Sequence, residues 1–170
     1  ALAYNTTGRH NVAVGHRALL RNTSGESNVA IGFDTMICHT TGACNVGMGT
    51  SALCRLTTGT SNFGLGFQAA FNVTTASDNI GIGRYAANAT STGTGNIAIG
   101  RQALRGGTAT NPQFNVAIGA CALRCMTSGA NNIAIGSCAG FSITSQRGNI
   151  AIGESAMDLS TSSYNTVLGY

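Results

Sequence analysis

Hydrophobic and polar positions recur along this chain with a single period. Ten segments share the order Asn, apolar, small, large apolar, Gly. They are NVAVG at 11, NVAIG at 28 and 115, NVGMG at 45, NFGLG at 62, NIGIG at 79, NIAIG at 96, 132 and 149, and NTVLG at 165. Their asparagines are spaced by 17, 17, 17, 17, 17, 19, 17, 17 and 16 residues. A fixed period of this size is the mark of a repeat array. With the asparagine as column 0, column +1 is Val, Ile or Phe except at Thr166, and column +3 is always large and apolar. Column +2 is Ala or Gly except at Val167. In an extended chain, +1 and +3 share one face while +2 points the other way. Each repeat therefore carries one short strand with a greasy face and a face of almost no side chain. So small a residue in nearly every copy implies close packing there, against the chain's own opposite wall or a neighbouring subunit.

Two columns never vary. Column 0 holds Asn11, Asn28, Asn45, Asn62, Asn79, Asn96, Asn115, Asn132, Asn149 and Asn165. Column +4 holds Gly15, Gly32, Gly49, Gly66, Gly83, Gly100, Gly119, Gly136, Gly153 and Gly169. Stacked asparagines can hydrogen-bond up and down a pile and satisfy turn backbone. A glycine closing each strand fits a corner where φ is positive or the backbone approaches closely. The block before each strand reads TTG, TSG, STG or a close variant, as in a tight turn closed by side-chain hydroxyls. Columns +7 and +8 are often Ala-Leu, and +11 is sometimes apolar, a spacing that a single helical turn would also give. Strands stacked at roughly 4.8 Å leave no room for α-helices side by side at 8–10 Å. A second short strand or an irregular turn is therefore favoured over a helix.

The fold class that follows is all-β: a parallel β-solenoid, or β-roll, of ten 17-residue coils, roughly 45–50 Å long. Residues 1–170 read as one array, with a two-residue loop insertion near 106–109 around Gly106, Gly107 and Thr108. The chain starts and stops in mid-repeat, so it is expected to be a piece of a longer fibre. Composition agrees with an array. Charged residues are 8%, against roughly a quarter in ordinary soluble domains. The net charge of +4 is too dilute to point to nucleic acid. No apolar run approaches 18 residues, so no membrane insertion is expected.

The consensus N-x-A-[IV]-G-x-x-A-L-x-x-N-T-T-G resembles repeats in fibre proteins of tailed bacteriophages and large viruses. NVAVGHRALLRNTSG at 11–25 fits it at every specified position except Ser24. More distantly, the strand motif is similar to the NSVAIG-type heads of trimeric autotransporter adhesins, whose coils are shorter. The resemblance implies a homo-oligomeric, trimeric fibre on a virion surface or in the extracellular space. Such a fibre extends or presents a receptor-binding surface, with a cell-surface glycan or receptor as partner. A trimer would also explain the small +2 face.

Little points to catalysis. HExxH, GxSxG, CxxC and P-loop patterns are absent. His10, His16 and His39 fall in columns −1, +5 and +11, and the five acids are scattered, so neither a catalytic nor a metal site nor a cofactor is expected. An alternative of another class is a secreted ice-binding or cell-surface adhesion solenoid. Ice binding needs two Thr columns on one side of a strand, whereas these hydroxyls are adjacent and precede a Gly turn.

Variable columns are where ligand contact would fall. Arg84 and Arg101 share column +5 on successive coils, about 5 Å apart, with Arg105 just beyond. Stacked like charges call for an acidic glycan, a partner's carboxylate, or solvent between them. Four sequons lie at Asn5, Asn22, Asn72 and Asn88, although an Asn-Thr-Thr repeat generates such triplets by itself. Among six cysteines, Cys121 and Cys138 share column +6 on neighbouring coils, within disulfide reach. Cys38 and Cys54, at +10 and +9, are a weaker pair. Cys44 and Cys125 are five coils apart, and are expected as thiols or bonded elsewhere.

Overall fold

The computed structural model describes residues 1–107, 111–158 and 162–169. Ten strands of three residues each follow one another along the chain. They are β1 (Val12–Val14), β2 (Val29–Ile31), β3 (Val46–Met48), β4 (Phe63–Leu65), β5 (Ile80–Ile82), β6 (Ile97–Ile99), β7 (Val116–Ile118), β8 (Ile133–Ile135), β9 (Ile150–Ile152) and β10 (Thr166–Leu168). They form one parallel sheet in sequence order, and every column pairs with itself. The 19-residue interval does not disturb the register, since Ile97 pairs with Val116 and Ala98 with Ala117. Positions 108 and 109 of the expected insertion lie outside the described residues. The chain is a parallel β-solenoid.

The asparagines hold the coils in step. In every coil after the first, the backbone N–H of the ladder asparagine donates to the Oδ1 of the one before, at 2.9–3.2 Å. The side-chain Nδ2 donates to the same oxygen at 3.0–3.2 Å. It also donates to the carbonyl fourteen residues on, as in Asn45 to Gly59 at 2.9 Å; across the insertion the span is sixteen residues, from Asn96 to Pro112 at 2.8 Å. Asn28 through Asn149 are fully buried or nearly so, and each amide is satisfied there. Column +4 glycines have φ between +113° and +134°. A Cβ on Gly119 would stand 2.3 Å from the Gly136 carbonyl oxygen, so side chains are excluded twice over.

Beyond the strand, columns +5 to +11 form an irregular turn, and no α-helix occurs among the described residues. Columns +6 and +8 sit in the left-handed region, as at Cys121 (φ 61°) and Leu123 (φ 48°), which no helix tolerates. A left-handed Leu costs about 1–2 kcal/mol. Burying its side chain returns about 1.5–3 kcal/mol, so the turn persists where +8 is Leu19, Leu53, Leu104 or Leu123, all fully buried. Backbone bonds still run coil to coil here, for example Leu19 N–H to the Thr35 carbonyl at 3.1 Å.

The strand faces are the reverse of what a greasy core would suggest. Column +2 points inward and is fully buried at Ala30, Ala98, Ala117, Ala134 and Ala151. It meets the +7, +8 and +11 side chains of the chain's own opposite wall. A Cβ on Gly64 would sit 3.1 Å from Leu53 Cγ, and one on Gly81 would sit 2.9 Å from Ala87 Cβ. The small column is thus explained within one chain, and a trimer is not needed for it. Columns +1 and +3 point outward. Ile99, Ile133, Ile135 and Ile152 are 36–38% exposed, and the end copies more so.

Replacing one rung tests the ladder. Asn79 gives three hydrogen bonds from its amide and accepts two from Asn96. Asn79→Ala leaves the Asn96 N–H and the Gly93 carbonyl orphaned, at about 1–3 kcal/mol each. We expect urea denaturation to show a loss of about 3 kcal/mol or more, with exposed Ser24→Ala within about 0.5 kcal/mol of wild type. Equal midpoints for the two variants would refute the ladder's role.

Candidate functional site

Because ladder and core columns are committed to the stack, contact surfaces are confined to what the coil turns outward. Three such surfaces exist: the aliphatic strip of columns +1 and +3, the hydroxyl turn, and the flank of columns +5, +6, +9 and +10.

The hydroxyl turn is spent on its own backbone. Thr6, Thr23, Thr40, Thr57, Thr74 and Thr127 donate Oγ1 to the carbonyl of the same column one coil on, at 2.8–3.2 Å. An ice-facing lattice of free hydroxyls does not form on this edge.

The flank carries guanidinium groups laid over aromatic rings. Arg17 lies 5.6 Å from the centroid of Phe33, Arg55 5.3 Å from Phe71, and Arg124 5.5 Å from Phe141. Arg84 lies 5.8 Å from Phe67 and 5.0 Å from Tyr85, and Arg105 covers the same tyrosine at 5.4 Å. Aromatic faces attract cations by roughly 0.5–1 kcal/mol at exposed sites. The stack of Arg84 on Arg101 is thereby relieved: Arg84 leans onto the rings while Arg101 is exposed. Among the described residues only Asp34 forms an ion pair. It is gripped by Arg17 through both carboxylate oxygens, with His16 Nδ1 at 3.9 Å. The hydrogen bond from Arg17 holds the Asp34 carboxyl below its ordinary range. Arg84, Arg101, Arg105 and Arg124 have no carboxylate partner.

Of the three arginines singled out from the sequence, Arg84 and Arg105 meet on Tyr85, while Arg101 stands apart. Arg124 is the residue that reading passed over. It shares column +9 with Arg105 on the next coil, across the 19-residue interval. Counting columns from the asparagine through that interval exposes the pair. An open cavity of about 290 Å³ lies there, lined by Arg105, Gly106, Gly107, Arg124 and Cys125. A second, of about 400 Å³, lies at column −2, between Gln113, Ala130 and Arg147.

Other candidate positions fall elsewhere. Asn22 is fully buried, receives a contact from His39 Nδ1 at 3.0 Å and donates to Asn5 Oδ1. A glycan on Asn22 is incompatible with this packing, which removes it from the acceptor set. Asn5 is exposed; Asn72 and Asn88 are half-buried and bonded to one another. All six cysteines are thiols. Burial, then Cys38, pushes the Cys54 thiol up to about 11. Among the described residues no three His, Cys, Asp or Glu side chains converge as a metal site, and no helix is long and apolar enough to cross a membrane. Comparison of the chain with protein-family models, curated proteins and solved structures finds no match.

Cys121 and Cys138 take equivalent places on adjacent coils, their N–H groups donating to Arg101 and Ala120. Their Cα atoms are about 4.8 Å apart, within the disulfide window. On oxidation, peptide mapping should join Cys121 to Cys138; a bond from Cys121 to any other cysteine would contradict the register.

His39 yields a pH dependence. It fills, in the second coil, the column that Leu56 and Val73 fill in the next two, and burial pushes its imidazole down to about 4. The unfolded chain binds a proton near pH 6.5 and the folded chain does not, so stability falls as pH drops from 6.5 toward 4. Wild type should lose about 2 kcal/mol between pH 7 and pH 5 through this group, and His39→Leu should lose none of it. The comparison is of denaturant midpoints; parallel slopes for both proteins would exclude His39 as the cause.

Proposed function

We propose that the chain is a non-enzymatic structural segment of a homotrimeric fibre, borne on a virion or an extracellular filament, that extends or presents an attachment surface. The observation that carries this reading is the outward strip of columns +1 and +3. Nineteen of its twenty positions are apolar, the exception being Thr166. The strip is roughly 45 Å tall and about 10 Å wide, a contiguous patch of about 450 Å². That equals the largest apolar patch of an ordinary monomer, and here it is unbroken by any charge. A copy of the same chain presents the same strip at the same rise, so rows of side chains from two copies can interdigitate along the whole length. Closed rotational symmetry would bury all such strips on one axis. The resemblance of the consensus to phage and viral fibre repeats favours three copies.

Sedimentation of the chain tests this. The expected mass is three times 17.2 kDa. Ile99→Glu with Ile135→Glu places charges on the strip without entering the core, and should give folded single chains with unchanged circular dichroism. Wild type sedimenting as a single chain at micromolar concentration would sink the fibre reading.

A further inference from the structure

We propose that the open cavity beside the 19-residue interval binds an oxyanion group carried on an acidic polysaccharide. Arg105 and Arg124 occupy one column on adjacent coils, tied by the Gly106 N–H donating to the Arg124 carbonyl at 2.8 Å. Two positive charges so placed repel one another unless something negative answers them. No described carboxylate does: the next acid in their column is Asp158, two coils beyond Arg124, with Phe141 between. Arg124 also carries the one buried side-chain polar atom among the described residues that has no hydrogen-bond partner, its Nε. Orphaned buried donors are rare, and the cavity that an acceptor would occupy is lined by this same side chain.

The surroundings fit an oxyanion. Tyr85 and Phe141 sit under the two guanidinium planes, fixing their tilt while leaving N–H edges free to grip oxygens in a fork. Gly107 leaves the rim open, since a Cβ there would meet nothing within 4 Å. A sulfate or carboxylate fits such a fork equally well. The rest of the flank favours a polymer over a free ion. Arg84 and Arg101, also without carboxylate partners, continue the cationic track on the same side of the coil. Repeated charges along a track suit repeated anionic sugars. The aromatic rings lie beneath guanidiniums and are not free to stack nucleobases, which disfavours single-stranded nucleic acid. This proposal rests on one pair of coils and stands whether the chain is one copy or three.

The test is fluorescence anisotropy with a labelled, fully sulfated tetrasaccharide at fixed ionic strength. Arg105→Ala with Arg124→Ala should weaken binding at least tenfold, and Arg124→Lys, which keeps the charge but loses the fork, several-fold. Arg9→Ala with Arg147→Ala removes the same charge from column −2 and should change binding less than twofold. Circular dichroism melts of each variant monitor the fold, and Arg124→Lys serves if the double alanine variant melts early. Equal weakening by the two double variants would reduce the effect to net charge and overturn the site. Inorganic sulfate competing as well, mole for mole, as unlabelled tetrasaccharide would mean a free-ion site. Tighter binding of a thymidine oligonucleotide would assign the track to nucleic acid. Either of these last results would overturn the polysaccharide.

Discussion

Everything in this molecule depends on one spacing, the rise of about 4.8 Å between stacked coils. At that rise each backbone group meets its own copy, so a solution found once can be used in every coil. The asparagine column is that solution for the corner where strand meets turn. A single oxygen accepts both the next backbone N–H and the next side-chain amide, as Asn45 Oδ1 does from Asn62. The remaining amide hydrogen closes the turn onto a carbonyl, as in Asn62 to Ala76 at 2.8 Å. Aspartate could accept but not donate, and serine could not span the gap. The residue is fixed by needing a donor and an acceptor on one short stem.

The same rise limits how wide the interior can be. A 17-residue turn of chain encloses little area, and one large side chain from the far wall nearly fills it. Leu53 facing Gly64, and Ala87 facing Gly81, show the volumes traded across the coil. Large residues at +2 have no space, so the strand's bulky side chains must lie outside. The coil thus ends with its most apolar strand positions on the surface, which no isolated chain gains by exposing.

That inversion explains what the sequence could and could not disclose. Period, register, strand position, and the Asn and Gly columns were legible because each is a direct count. The absence of a helix followed from rise against helix diameter. Which strand face is buried was not legible: alternation at +1, +2 and +3 separates two faces without saying which is inside, and hydropathy alone points the wrong way. Only the volume enclosed by the coil decides it. Arg124 escaped for a different reason. Two extra residues before Asn115 put Arg105 and Arg124 nineteen apart, and a 17-residue ruler does not align them.

The interval that hides Arg124 also makes the site it lines. Where the period holds, the coil is continuous and its flank is a shallow ridge, with guanidiniums lying on rings such as Phe33 or Phe71. Extra chain cannot be absorbed inside, because Asn115 remains locked on Asn96 by two hydrogen bonds at 3.1 and 3.0 Å. It must leave the stack beside column +9. Departure of the chain there opens space next to two side chains that regular coils would have covered. A strictly periodic solenoid offers the same surface at every level and so has no reason to bind at one. Breaking the period once, with the ladder kept intact, distinguishes a single level at no cost to the core.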